Sequence, residues 1–156
     1  MKKITLISLI CIFIDQITKL IIKNTINLHS SIILIKNFFS LAYVKNYGAA
    51  WSILSGSRIF LITIALVSLY LIYNYFIKNK DLNKLEIITY GLLIGGIIGN
   101  LIDRIVFGYV IDFFDFLIFN YNFPVFNFAD IFIVVSAGLI IIDTFRSETH
   151  EIRSKH

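Results

Sequence analysis

The chain has 156 residues, of which 58% are hydrophobic and 15% charged, with a formal net charge of +4. Soluble domains average about 45–50% apolar and about 25% charged residues, so this excess cannot be hidden in one small core and part of the solvent must be lipid. Basic runs with interleaved aromatics are missing, which argues against nucleic acid as a partner; the lone Cys11 can form no internal disulfide, and His29, His150 and His156 lie outside the apolar runs, leaving a zinc site or a Ser-His-Asp triad unsupported.

Residues 4–23 predict the first span. About 20 residues at 1.5 Å each cross roughly 30 Å of hydrocarbon. The run is too long for a secretory signal peptide and lacks a small-residue cleavage site. It carries Cys11 as a packing residue, and Asp15 and Lys19 in its outer half. These two are four apart and share a face. Either they neutralise each other near a helix end, with Lys19 and Lys23 snorkelling outward, or Asp15, Thr18 and Lys19 brace a polar site.

Residues 24–57 are mixed in composition. The β-branched run 32–35 and the aromatic run 38–44 predict short strands at the membrane surface. Asn46-Tyr47-Gly48-Ala49-Ala50-Trp51 combines a polar turn with small residues. Gly48 permits close approach of another chain, and Trp51 suits the headgroup level.

The second span, 58–77, carries no charge beyond Arg58, and Tyr70, Tyr73 and Tyr75 form an aromatic belt at its end. The third, 86–107, has Gly91, Gly95 and Gly99 every fourth residue, extended in line by Asp103. Gly96, Asn100 and Arg104 make the adjacent stripe. Small residues at this spacing let helices pack closely in lipid, within the chain or in a dimer. Packing does not explain the polar turns at Asn100, Asp103 and Arg104. Residues 108–125 read as a loop or surface segment holding Asp112 and Asp115. Pro124 precedes the fourth span, 126–144, whose first turn holds Asn127 and Asp130. Asp143 and Arg146 look like a surface pair, and the tail from residue 147 is polar and expected to fray.

Lysine and arginine place both termini in the cytoplasm. That topology brings Asp15, Asn46, Asn100, Arg104, Asp112, Asn127 and Asp130 to one depth on the outer side. Ionisable groups there are costly and tend to mark function. Two close carboxylates cannot easily both ionise, which leaves one acid and one base. The base can deprotonate water while the acid protonates a carbonyl oxygen, which is peptide hydrolysis without a metal. Asp112 and Asp130 suit this role. Two other classes stay open on the residues alone. Asp103, Asp112, Asp115 and Asp130 offer oxygen ligands to Mg²⁺ or Ca²⁺, and intramembrane carboxylates such as Asp15 and Asp130 suit a four-helix ion or proton pathway.

Five blocks in order then resemble one family. They are Asp15-Gln16-Ile17-Thr18-Lys19, Asn46 to Trp51, Gly99-Asn100-Leu101-Ile102-Asp103-Arg104, Val110-Ile111-Asp112-Phe113 and Phe126-Asn127-Phe128-Ala129-Asp130. Together they look like lipoprotein signal peptidases (signal peptidase II), bacterial aspartic membrane peptidases, over nearly the whole chain. The resemblance implies a single membrane domain of four transmembrane helices, with a small extracytoplasmic β-cradle and a surface helix. It implies Asp112 and Asp130 as the catalytic pair. Asn46, Gly48, Asn100, Arg104 and Asn127 would line the site or touch substrate, with Asp15 and Lys19 supporting it. It implies diacylglyceryl-modified prolipoproteins as substrates, cut just before the lipidated cysteine. It further implies no metal or other cofactor, and a place in the bacterial inner membrane among membrane lipids, with the site facing outward.

Overall fold

The computed structural model describes residues 1–48 and 56–154, with side chains described as far as residue 145. The readings placed on Ala49, Ala50 and Trp51, and on the side chain of Arg146, lie outside the described residues. Among the described residues, four helices are long and apolar enough to cross a membrane. They are α1 (Lys2–Thr25), α2 (Arg58–Leu71, continuing as a π-helical turn Ile72–Ile77), α3 (Lys84–Val106) and α4 (Phe128–Ser154). Between them lie β1 (Ser31–Ile35), β2 (Phe39–Asn46), β3 (Val110–Ile118) and β4 (Tyr121–Asn122), joined in one antiparallel sheet in the order β1-β2-β3-β4. The surface helix has no counterpart among the described residues of 24–57.

α3 is the central helix. Asn83 and Glu86 start it with a capping box, in which the Asn83 side chain accepts from the Glu86 N–H (3.0 Å) and the Glu86 carboxylate accepts from the Asn83 N–H (2.7 Å). The glycine stripe serves packing within the chain. A Cβ at Gly95 would sit 2.5 Å from the Cys11 Cβ and 3.0 Å from the Ser8 carbonyl oxygen, so α1 lies directly on this stripe. Gly96 faces the other way, where a Cβ would meet the Ala129 carbonyl oxygen of α4 at 2.5 Å. At Gly138, on α4, nothing lies within 4 Å. We therefore expect Gly96→Ala to force α3 from α4, destabilising the protein by about 1–3 kcal/mol and disturbing the turn that carries Asp130. Gly138→Ala should be neutral or stabilising by up to about 1 kcal/mol. Thermal unfolding in detergent checks both; equal melting temperatures would contradict the packing described.

α2 is held differently. None of its residues is buried. Its first residue, Arg58, donates from Nε to the Arg104 carbonyl and from Nη2 to the Ile105 carbonyl, each at 2.8 Å. The guanidinium thus caps the last turn of α3, where helix carbonyls lack partners.

Three expectations need correction. Residues 108–125 are not a loop, because β3 is the longest strand and pairs with β2 and β4. Its run of Val, Ile and Phe lacks polar alternation because its first four residues are buried. Lys19 does not snorkel; only 2% of its side chain is exposed, since two buried carboxylates hold it. The chain does not leave the helix at residue 147, since α4 runs to Ser154.

Candidate active site

The site grows from two local features. The first is the start of α4. The Asn127 Oδ1 accepts from the Asp130 N–H (3.0 Å), and an Asp130 carboxylate oxygen accepts from the Asn127 N–H (3.1 Å). This reciprocal pair is a capping box, with aspartate in the usual glutamate place, at a turn whose unpaired N–H groups favour an anion. The second is a bulge in β2. The β2–β3 register shifts between Leu41 and Val44, giving β2 an extra residue against β3. Beyond it, Val44 pairs with Asp112 and Asn46 with Val110, so Asn46 and Asp112 share a face.

Three asparagines then hold the two carboxylates. Asp112 accepts from Asn127 Nδ2 at 2.6 Å and from Asn46 Nδ2 at 2.9 Å. Asp130 accepts from Asn100 Nδ2 at 2.8 Å. The amide orientations follow from their other partners. Asn46 Oδ1 accepts from the Gly48 N–H, Asn127 Oδ1 from the Asp130 N–H, and Asn100 Oδ1 from the Lys19 ammonium and from Asn127. Each asparagine is left with its NH₂ toward a carboxylate. Arg104 donates to the Gly48 carbonyl at 3.0 Å, tying the β2 exit to α3.

Beneath this layer lies a buried ion cluster. The Lys19 ammonium sits 2.8 Å from Asp15 and 3.0 Å from Asp103, and donates to Asn100 at 3.0 Å. Asp15 also accepts from the Ala129 N–H at 3.0 Å, and Asp103 from the Ile111 N–H at 3.1 Å. The cluster therefore touches the chain one residue before each of Asp130 and Asp112. Asp15 and Lys19 thus lie in a buried cluster and not a surface pair, whereas Thr18 bonds back to the Ile14 and Asp15 carbonyls of its own helix.

All nine residues singled out from the sequence fall in this one network. Asp112, Asp130, Asn46, Asn100 and Arg104 also line a cavity of about 660 Å³ between α2, α3 and α4. Asp103, read from the sequence only as a possible cation ligand, and Gln16 belong to the network as well. Gln16 donates to Asp103 (2.9 Å), Asp15 (3.2 Å) and the Gly99 carbonyl (3.2 Å). The sequence signal for Asp103 was its place in line with the glycine stripe. Asp115 stands apart and accepts from Ser40 at 2.9 Å. Asp103 is taken up by Lys19 and Asp115 by Ser40, and among the described residues no three His, Cys, Asp or Glu side chains group as metal ligands.

Asp112 is only 2% exposed. Burial, and then repulsion from Asp130, push its pKa up to about 7 from 3.8, against the opposing pull of Asn46, Asn127 and Lys19. This carboxyl therefore keeps its proton to higher pH than an ordinary aspartate.

Residues 7–146 match the model of the family described as Signal peptidase (SPase) II. The chain belongs to the signal peptidase II family. It is 38% identical over 153 residues to a lipoprotein signal peptidase of Haemophilus influenzae, covering 96% of this chain and 89% of that one. It is 42% identical over 143 residues to one of Halothermothrix orenii, covering 92% and 95%. A bacterial membrane enzyme solved by the in meso method at 2.3 Å resolution superimposes with a TM-score of 0.88 at 36% identity, covering 96% of this chain and 92% of that one. This signal peptidase II family member is therefore a multi-pass membrane peptidase with four apolar helices and a small antiparallel sheet.

Proposed function

We propose that the chain removes signal peptides from diacylglyceryl-modified prolipoproteins, cutting before the lipidated cysteine, with Asp112 and Asp130 activating a water molecule. The observation that carries this reading is one cavity lined both by the two carboxylates and by a long apolar wall between α2 and α4. The peptide bond would sit at the carboxylates, and the acyl chains would run down the wall.

In the mechanism, ionised Asp130 takes a proton from water as the oxygen attacks the scissile carbonyl. Protonated Asp112 gives its proton to the carbonyl oxygen. The tetrahedral centre then collapses: the C–N bond breaks, the departing amine takes the proton that Asp130 accepted, and one hydroxyl returns its proton to Asp112 as the new carboxyl forms. Asn46, Asn100 and Asn127 keep both carboxylates aimed, and Arg104 holds the β2 exit over the cavity. The lysine and arginine distribution supports cytoplasmic termini and a site toward the outer face of the bacterial inner membrane.

Two results test this. Purified protein in detergent should cut a diacylglyceryl prolipoprotein to expose an N-terminal lipidated cysteine, and leave the unmodified precursor uncut. Equal cleavage of both would contradict the lipid-wall reading. The rate should also depend on pH with a bell shape. Above about pH 7 Asp112 loses its proton and the acid is gone, so the alkaline limb begins there. On the acid side the base takes up a second proton. The two values belong to the pair. A rate still rising past pH 9 would rule out Asp112 as the acid.

A further inference from the structure

The cavity wall holds one polar group that the mechanism leaves unused. Ser68 of α2 lines it among Leu61, Ile64, Ala65, Ile97, Ile131 and Val134. Several serine and threonine hydroxyls elsewhere in the spans bond back to their own helix. Ser8 donates to the Ile4 carbonyl, Thr18 to Ile14, Thr63 to Ile59, Ser136 to Ile133 and Thr144 to Ile140, all at 2.7–3.0 Å. The Ser68 hydroxyl makes no hydrogen bond to any described residue. An unpaired hydroxyl facing hydrocarbon costs free energy, so a ligand that supplies an acceptor there gains from it.

Depth identifies the acceptor. Arg58 fixes the start of α2 beside the Arg104 and Ile105 carbonyls of α3. From that level Ser68 is ten residues along α2, and Asn100 four or five back along α3. At 1.5 Å per residue, Ser68 lies about 8 Å deeper than Asn100, which holds Asp130. In a diacylglyceryl-cysteine substrate, eight bonds separate the scissile carbonyl carbon from the nearer acyl-ester carbonyl carbon. Bonds of ~1.5 Å in a partly extended chain span about 8–10 Å. With the scissile bond at the carboxylates and the lipid pointing down the wall, an ester carbonyl reaches Ser68.

We propose that Ser68 reads the acyl ester of the substrate lipid by donating a hydrogen bond to its carbonyl oxygen. This rests on the substrate class proposed above. It makes Ser68 a specificity residue and not a catalytic one, because it touches no reacting atom.

The test compares two prolipoproteins of one sequence. One bears a diacylglyceryl group (esters) and the other a dialkylglyceryl group (ethers, without the carbonyls). Each is offered to wild type, Ser68→Ala and Ser68→Thr. Wild type should show a KM about threefold to tenfold lower for the ester, the factor one neutral hydrogen bond contributes. Ser68→Ala should erase that preference with kcat and melting temperature unchanged, and Ser68→Thr should keep it in part. An ester-to-ether ratio that is the same in wild type and Ser68→Ala overturns the proposal, including the case where both substrates weaken equally. If wild type cuts neither substrate, the lipoprotein reading itself fails, and the role of Ser68 with it.

Discussion

Asp112→Asn and Asp130→Asn should each lower kcat by about 10²–10⁴-fold, the range in which a positioned acid or base contributes, while Asp115→Asn keeps nearly full activity. The contrast separates chemistry from charge. All three changes replace one carboxyl by an amide in the same part of the protein. Asp112 and Asp130 line one cavity and share Asn127 as a hydrogen-bond partner. Asp115 only accepts from Ser40 in the sheet. An amide at position 112 keeps the shape of the carboxyl but cannot pass a proton to a carbonyl oxygen. Stability gives a second readout for Asp112. Its pKa is higher in the folded protein (about 7) than the ordinary 3.8, so its contribution to stability falls as pH rises through that window. The Asp112→Asn protein should lack that part of the pH dependence. Near-normal cleavage by either dyad variant, or equal losses for Asp115→Asn, would contradict the assignment.

Lys19→Met should be the most damaging single change to the fold. The ammonium is the shared partner of Asp15 and Asp103, and the side chains of all three are at most 2% exposed. Breaking a buried ion group by removing one member costs about 3–5 kcal/mol, because an uncompensated charge stays behind. Here two carboxylates would be left. Total stabilities of about 5–15 kcal/mol leave little margin for that loss. We expect Lys19→Met to yield little monodisperse protein in detergent, and the triple change Asp15→Asn, Lys19→Met, Asp103→Asn to recover much of it. The recovered protein should still cleave slowly, since Asn100 has lost the donor that helps aim it at Asp130. A Lys19→Met protein that melts like wild type would contradict the buried-cluster account.

The spans were legible in the sequence because hydrocarbon imposes a length and an apolarity that few other contexts do. The glycine stripe was legible as a packing face continued by Asp103, but which helix it meets was not. The convergence of Asp15, Asn46, Asn100, Arg104, Asp112, Asn127 and Asp130 followed from topology alone. β3 was not legible. A strand buried near its start shows no period-two pattern, and Asp112 and Asp115 made the segment look like surface. Nor could spacing decide whether Lys19 points outward or inward, since both options keep Asp15 four residues away. That choice depends on Asp103, which lies 84 positions further along the chain. Ser68 carried no sequence signal, because a lone serine in a span normally bonds to its own helix.

The most direct measurement is cleavage of a purified diacylglyceryl prolipoprotein by the purified protein, with and without EDTA, read by mass spectrometry of both products. The account predicts a signal peptide ending immediately before the lipidated cysteine, produced at the same rate with and without the chelator. Cleavage abolished by EDTA and restored by a divalent cation would mean that Asp112 and Asp130 hold a metal, and would contradict the dyad mechanism.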